Sequence, residues 1–383
     1  MRKDTIAFVS TYEHPSRDSV EQTIREVFPE YRLENIVLKD VVKSHRRWML
    51  PNSIHIAAEY GVKILRGDAR LIDSYFRTTY LFRRIHLAMR EIIDPSRHVF
   101  SFQTQSLYDT SVPGVPHFIY TDHTHLSNLE SAYFDPRQLR PAAWIALERT
   151  IYRNAARVFT RSHDVTADLE KHYGVGVDKV TCVYAGTNVP MSGAPPASTA
   201  HGQRRILFVG GDWERKGGPV LAAAFREVLR VLPDAHLTIV GASPQLDLPN
   251  TTVLGNLPLE AVSAEFARAT LFCLPTRLEP FGIAVLEAML HRLPVVGTAV
   301  GAMRDMIRDG VTGRLVAPGD SRDLADALLE MLGDPERCRR FGEAGHRLLL
   351  ERYTWQAVGA RMRSVIAPLI GRTDVPQPAA CHG

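Results

Sequence analysis

Two glutamates eight positions apart, Glu279 and Glu287, bracket Pro280-Phe281-Gly282 in the stretch "RLEPFGIAVLEAMLHRLPVV", residues 277–296. Glu287 interrupts the apolar run Ile283 to Leu290, where a buried, unsolvated charge is costly. A carboxylate placed there can accept hydrogen bonds from both hydroxyls of a vicinal diol such as ribose. A glutamate on the solvated side of a helix is the alternative, although Ala284, Val285, Ala288 and Met289 leave little polar face. In "ILFVGGDWERKGG", residues 206–218, a strand ends at Gly210-Gly211, a helix begins near Gly218, and Arg215 and Lys216 stand between them. Glycine lets backbone approach a ligand closely, and a planar guanidinium beside a point-charge ammonium suits a diphosphate. A solvated strand-to-helix turn is the alternative. The helix opened by Pro280-Phe281-Gly282 adds unpaired N–H groups and a partial positive charge, a backbone anion site. Glu279 lies just outside that start, and Glu287 lies roughly 9 Å further along the axis at 1.5 Å per residue.

These residues need elements to hold them. Short β-branched runs alternate with helical patterns at 5–10, 35–38, 98–102, 117–121, 157–162 and 179–184. Strands apolar on both faces and separated by helices predict a parallel sheet. The stretch "VPMSGAPPASTAHGQ", 189–203, interrupts the pattern as a linker. The alternation resumes with "RILFVGG", "HLTIVG", "TLFCLP", "PVVGT" and "GRLVAP". The sequence therefore predicts an α/β chain of two doubly wound domains facing across a cleft, with chemistry in the loops after strands. The expected boundaries are 1–190, 191–353, a helix at 354–370 crossing back to the first domain, and a flexible tail at 371–383.

A length of 383 residues fits two domains at roughly 150 each. Apolar residues at 45% and charged residues at 23% exclude a disordered or membrane-spanning chain. No apolar run reaches the roughly 18 residues that span a bilayer, and "MRKDTIAFVSTYEHP" lacks a signal-peptide core. The expected location is cytoplasmic, with a peripheral position on the inner membrane face as an extension. Cys182, Cys273, Cys338 and Cys381 form no C-x-x-C pair and read as reduced packing residues. The net charge of +4 comes without basic runs interleaved with aromatics, so no nucleic-acid partner is expected. Between 41 and 100, however, eleven Lys/Arg face five acids. The segment "SYFRTTYLFRRIHLAMREI", 74–92, alternates aromatics and Leu with Arg at near-helical spacing. Such a helix either sits on an anionic lipid surface or packs on its own domain with its arginines in water.

From about 157 to 368 the chain resembles the retaining nucleotide-sugar glycosyltransferases of the GT-B fold, glycosyltransferase family 4. "RSHDVTADLEKHYGV", "VYAGTN", "FVGGDWERKGG", "LPTRLEPFGIAVLEAM", "PVVGTAVGAMRDMIRDGVTGRLVAPGD" and "YTWQAVGARM" occur in family order and spacing. The resemblance implies that Arg215 and Lys216 hold the donor diphosphate, with Gly211 beside them. Glu279 lies against the donor sugar, Phe281, Gly282 and Ile283 give main-chain contacts, and Glu287 holds the ribose. In "HFIYTDHTHLS" His123 aligns with the family histidine aimed at the donor sugar, and it is favoured over His125. The implied catalytic set is His123, Glu279, Arg215 and Lys216.

The implied reaction moves a sugar from a nucleoside diphosphate sugar to an acceptor hydroxyl on a glycan or lipid-linked molecule, in cell-surface glycan or glycolipid synthesis, with retention. No cofactor and no metal are expected, since no Asp-x-Asp triplet is present to hold a divalent ion. A GT-B epimerase or hydrolase, or a catalytically silent sugar-nucleotide-binding protein, is the alternative. The sequence departs from the family pattern at four places. The first-strand loop "FVSTYEHPSRDS" is not glycine-rich, Arg292 stands at a usual helix-ending Gly, Ala302 replaces a second Gly, and Asp305 shortens a usual Glu. Arg292 demands either a different cap or a left-handed non-glycine residue.

Overall fold

A computed structural model describes residues 3–12, 15–187 and 203–371, so all but the last residue of the expected linker at 189–203, the tail beyond Gly371 with Cys381, and Glu13 and His14 of the first-strand loop lie outside the described residues. The described residues divide into two units. One runs to Tyr184 and takes up the chain again at Val358, and the other extends from Ala185 to Ala357.

The first unit holds β1 (Thr5–Ser10), β2 (Arg32–Val37), β3 (His98–Thr104), β4 (His117–Thr121), β5 (Arg157–Thr160) and β6 (Val180–Cys182). They form one parallel sheet in the order β2-β1-β3-β4-β5-β6. Every residue of β1, β3 and β4 is buried, as helices on both faces of a parallel sheet require. One face of the sheet is layered with phenylalanine. Phe100 and Phe102, two apart on β3 and so on the same side, meet Phe118 at 5.5 Å and Phe159 at 6.3 Å between ring centroids.

The helix Thr79–Ile92 settles how the arginine-rich segment 74–92 is used. Leu81, Phe82, Ile85, Ala88 and Met89 are buried in the core of this unit, so its apolar face packs on its own domain. The final helix, Trp355–Ile370, buries Val358, Gly359, Met362 and Ile366. A Cβ on Gly359 would stand 2.7 Å from Thr23 and Val27, so glycine permits that close crossing. The Arg363 guanidinium lies 4.9 Å from the Phe28 ring centroid and 2.9 Å from Glu30.

The second unit holds β7 (Arg205–Val209), β8 (His236–Val240), β9 (Thr251–Gly255), β10 (Leu271–Leu274), β11 (Val295–Thr298) and β12 (Gly313–Val316). Their order, β12-β11-β10-β7-β8-β9, is again parallel throughout. The chain's direction of winding reverses between β7 and β10. That switch point leaves the loops after these two strands side by side at their carboxyl ends.

Of the twelve strands, β9 has no counterpart in the sequence reading. It lies at the sheet edge with all five residues partly or fully exposed, so it needs no continuous apolar run. The helix Ile283–Leu290 closes through Arg292 at φ +57°. Of the two possibilities there, the chain takes the left-handed non-glycine residue. Arg292→Gly is expected to raise stability by up to about 1 kcal/mol, read from the urea midpoint. A loss of comparable size would show instead that the 3.5 Å contact from Arg292 to Glu343 matters more.

Candidate active site

The β7 and β10 loops lock together through their backbones. Asp212 caps the first loop, its Oδ1 accepting from the Arg215 N–H at 3.1 Å. Lys216 then donates its N–H to the Asp212 carbonyl at 2.9 Å. The Arg215 carbonyl accepts from the Arg277 N–H at 2.9 Å and from the Thr276 hydroxyl at 3.2 Å. Gly217 follows at φ +76°, and a Cβ there would stand 1.7 Å from the Pro275 carbonyl oxygen. Only glycine fits this contact, and the contact sets where Lys216 points.

Both cations turn toward the β10 loop. Arg215 donates from Nη1 to the Leu278 carbonyl at 2.9 Å, and its Nε lies 3.4 Å from Asp212. The Lys216 ammonium is hydrogen-bonded to the Glu279 carboxylate, and both side chains are largely buried. Glu279 is braced from below by the segment after β11. Its carbonyl accepts from the Ala302 N–H at 3.3 Å, and a Cβ on Gly301 would stand 2.2 Å from that oxygen. Ala302, fully buried, adopts φ −62°, so this backbone has no need of the glycine pair expected from the family pattern.

Gly282, at φ +84°, turns the chain into the helix Ile283–Leu290. That helix buries Val285, Leu286, Ala288, Met289 and Leu290, while Ile283, Ala284 and Glu287 remain partly open. Residues four apart share a helix face, so Glu287 stands above Ile283 on the open side. Among the described residues its carboxylate has neither a hydrogen-bond partner nor an ion-pair partner, and burial pushes its pKa up to about 7. The solvated helix side weighed as an alternative is thus mostly covered. The Phe281 side chain is buried, tilted 55° against the Tyr353 ring. It serves packing, and only its main chain is left for a ligand. Gly211 is exposed, with nothing but the Gly241 carbonyl within 4 Å of a Cβ placed there.

In the first unit the loop after β4 carries both histidines. The His125 ring is committed to structure. Its Nε2 accepts from the Arg140 N–H at 2.8 Å, the ring stands edge-on to Trp144, and burial drives its pKa down to about 3. His123 is half-buried, and burial holds its pKa below the usual histidine range against the opposing charges of Asp122 and Asp168. Two residues outside the sequence reading pin this loop. Buried Glu148 accepts from the His125 N–H at 3.0 Å and from the Tyr173 hydroxyl at 2.6 Å, and Asp168 accepts from the Ser127 hydroxyl at 2.7 Å. Glu148 carries the same signal as Glu287, a charge among apolar neighbours in "AAWIALERTIY". Gly217, Thr276 and Gly301 are likewise structural supports that residue type alone did not mark.

Two six-stranded parallel sheets of this kind have the architecture of the GT-B fold. The family model described as Glycosyltransferase Family 4 matches residues 53–189, and that described as Glycosyl transferases group 1 matches residues 203–334. The chain belongs to this family of glycosyltransferases. It is 28% identical over 247 residues to glycogen synthase of Mycobacterium tuberculosis, an alignment covering 61% of this chain and 59% of that protein. It is 32% identical over 192 residues to phosphatidyl-myo-inositol mannosyltransferase of Mycobacterium leprae, covering 47% and 51% respectively. The chain thus spans about three-fifths or less of these curated relatives' length. The solved sucrose-phosphate synthase of Thermosynechococcus elongatus shares the fold at a TM-score of 0.66 and 18% identity, over 96% of this chain and 100% of that one.

Proposed function

We propose that the protein moves a sugar from a nucleoside diphosphate sugar to an acceptor hydroxyl on a glycan or lipid-linked molecule, with retention and without a metal ion. The observation that carries this reading is the convergence of Arg215, Lys216 and Glu279 on adjoining loops, beside a helix whose open face bears the unpartnered Glu287 carboxylate. Breaking the bond between the anomeric carbon and the phosphate oxygen leaves an oxocarbenium-like sugar and negative charge on the β-phosphate. Arg215, Lys216 and the N–H groups at the start of the Ile283–Leu290 helix stabilise that charge in place. The acceptor oxygen bonds to the same face of the anomeric carbon, and its proton passes to the departing phosphate oxygen. No side-chain base is needed. Glu279, held by Lys216, orients the sugar.

The experiment is a thermal-shift panel of UDP, GDP and ADP with their sugar conjugates in the presence of EDTA, followed by NMR of the transferred sugar. One nucleoside diphosphate is expected to raise the unfolding temperature without divalent ions, and the product is expected to keep the donor's anomeric configuration. A shift that appears only with Mg²⁺, or an inverted product, contradicts the reading.

A further inference from the structure

Seven of the eighteen exposed large apolar side chains among the described residues fall within residues 49–72, which concentrates them on one helix and the short segment after it. In the helix Met49–Leu65, Leu50 is 76%, Ile54 64% and Leu65 90% exposed, and Leu71 and Ile72 beyond it are 61% and 74% exposed. At about 100° per residue, Leu50, Ile54, Ala57, Ala58, Gly61 and Leu65 share the outward side, a stripe about 25 Å long that carries no charge. The inward side is firmly seated. Asn52, Ile56 and Tyr60 are buried, Asn52 donates to the Tyr75 carbonyl at 2.9 Å, and the Tyr60 hydroxyl donates to the Arg77 carbonyl at 2.5 Å. A helix apolar on both sides ordinarily has both sides covered. Here nothing among the described residues covers the outer one.

The ends of the stripe are cationic. Lys43, Arg46 and Arg47 are exposed before it, and Arg66 and Arg70 after it. Together with Ser44 and His45, the first three line a concavity of about 650 Å³. Acids temper this charge without cancelling it: Lys43 is paired with Asp40 at 3.0 Å, and over residues 40–73 six Lys/Arg stand against four Asp/Glu, Asp40, Glu59, Asp68 and Asp73, for a net charge of +2.

We propose that this helix lies flat in the surface of an anionic lipid bilayer, its apolar stripe among the upper acyl chains and its two cationic ends on lipid phosphates. Apolar length flanked by Lys/Arg is the pattern of an interfacial helix, and each basic group near an anionic surface strengthens binding about fivefold. A second copy fits less well. Two-fold pairing through the stripe would bring arginine-bearing ends against each other, and like charges across an interface are strongly unfavourable. Among the described residues no helix is long and apolar enough to cross a membrane, so the association is on the surface. The inference is independent of the transfer reaction, because it needs no donor.

The test is flotation of the whole protein with phosphatidylcholine vesicles, with and without phosphatidylglycerol, alongside sedimentation velocity without lipid. Wild type is expected to float only with phosphatidylglycerol and to release at high salt. Arg46→Glu with Arg47→Glu should weaken binding by at least about 30-fold, and Leu50→Ser with Ile54→Ser should abolish flotation. Both pairs should keep the nucleotide thermal shift, which shows that they fold and separates this test from that of the active site. Wild type left in the soluble fraction overturns the proposal. So does displacement from vesicles by inorganic phosphate at matched ionic strength, which marks a soluble-anion site. A dimer lost in Leu50→Ser with Ile54→Ser overturns it in favour of a second copy.

Discussion

Lys216→Gln is expected to lower kcat by roughly 10²–10³-fold, because in the proposed transfer it removes a fixed cation from the place where phosphate charge develops. The contact with Glu279 makes the result more complex than a loss of charge. Glu279 is 5% exposed and hydrogen-bonded to the Lys216 ammonium. Removing one partner of a buried pair strands the other at a cost of about 3–5 kcal/mol in fully buried cases, so the variant should also unfold at lower temperature. Lys216→Arg separates the two effects. It keeps the charge and a donor for Glu279, restoring most of the stability, while the longer planar group no longer matches a site shaped for a point charge. A Lys216→Gln protein that turns over at the wild-type rate would remove Lys216 from the chemistry, whatever its stability.

Glu287→Gln is expected to act with opposite signs on folding and on donor binding. The Glu287 pKa rises from 4.5 to about 7 through burial alone. Between those values the folded chain keeps a proton that the unfolded chain has released, so this group's contribution to stability declines as pH rises through the window and its cost is complete above about pH 7. Glutamine removes the cost. The unliganded variant should gain about 1–3 kcal/mol at pH 8, and nothing below pH 4, where both states are protonated. Nucleotide affinity should move the other way. A diol donating to the carboxylate favours the ionised form, so wild-type affinity should fall by up to about tenfold per pH unit below pH 7, whereas the glutamine variant binds weakly at every pH. A variant with unchanged stability at pH 8 would show that Glu287 is already satisfied in the free protein.

The strands and the glutamate were legible in the sequence for the same physical reason. A parallel sheet covered on both sides demands unbroken apolar runs, and a charge inside such a run stands out. Edge strand β9 escaped because its residues are partly wet. The pairing of Lys216 with Glu279, 63 residues apart, is set by strand order, which no local pattern encodes. The histidine loop was half legible. Residue type marked both His123 and His125, but only the Arg140 N–H on His125 shows which ring is already in use. For the basic segment 74–92 the sequence left two readings open, and the structure takes the one in which the helix packs on its own domain. That helix, Thr79–Ile92, spends its apolar face on the core, whereas the exposed stripe belongs to Met49–Leu65, whose composition reads as an ordinary core helix. Periodicity reports that a face is apolar and is silent on what lies against it.

The most direct test of the donor site is a thermodynamic cycle by calorimetry. The preferred nucleoside diphosphate and its 2′,3′-dideoxy analogue are each titrated into wild type and into Glu287→Gln at pH 8. If the Glu287 carboxylate holds the ribose diol, deleting the hydroxyls weakens binding to wild type by at least about tenfold and leaves binding to the variant almost unchanged, a coupling well outside additivity. Equal losses in both proteins would place the ribose elsewhere, and with it the diphosphate assigned to Arg215 and Lys216.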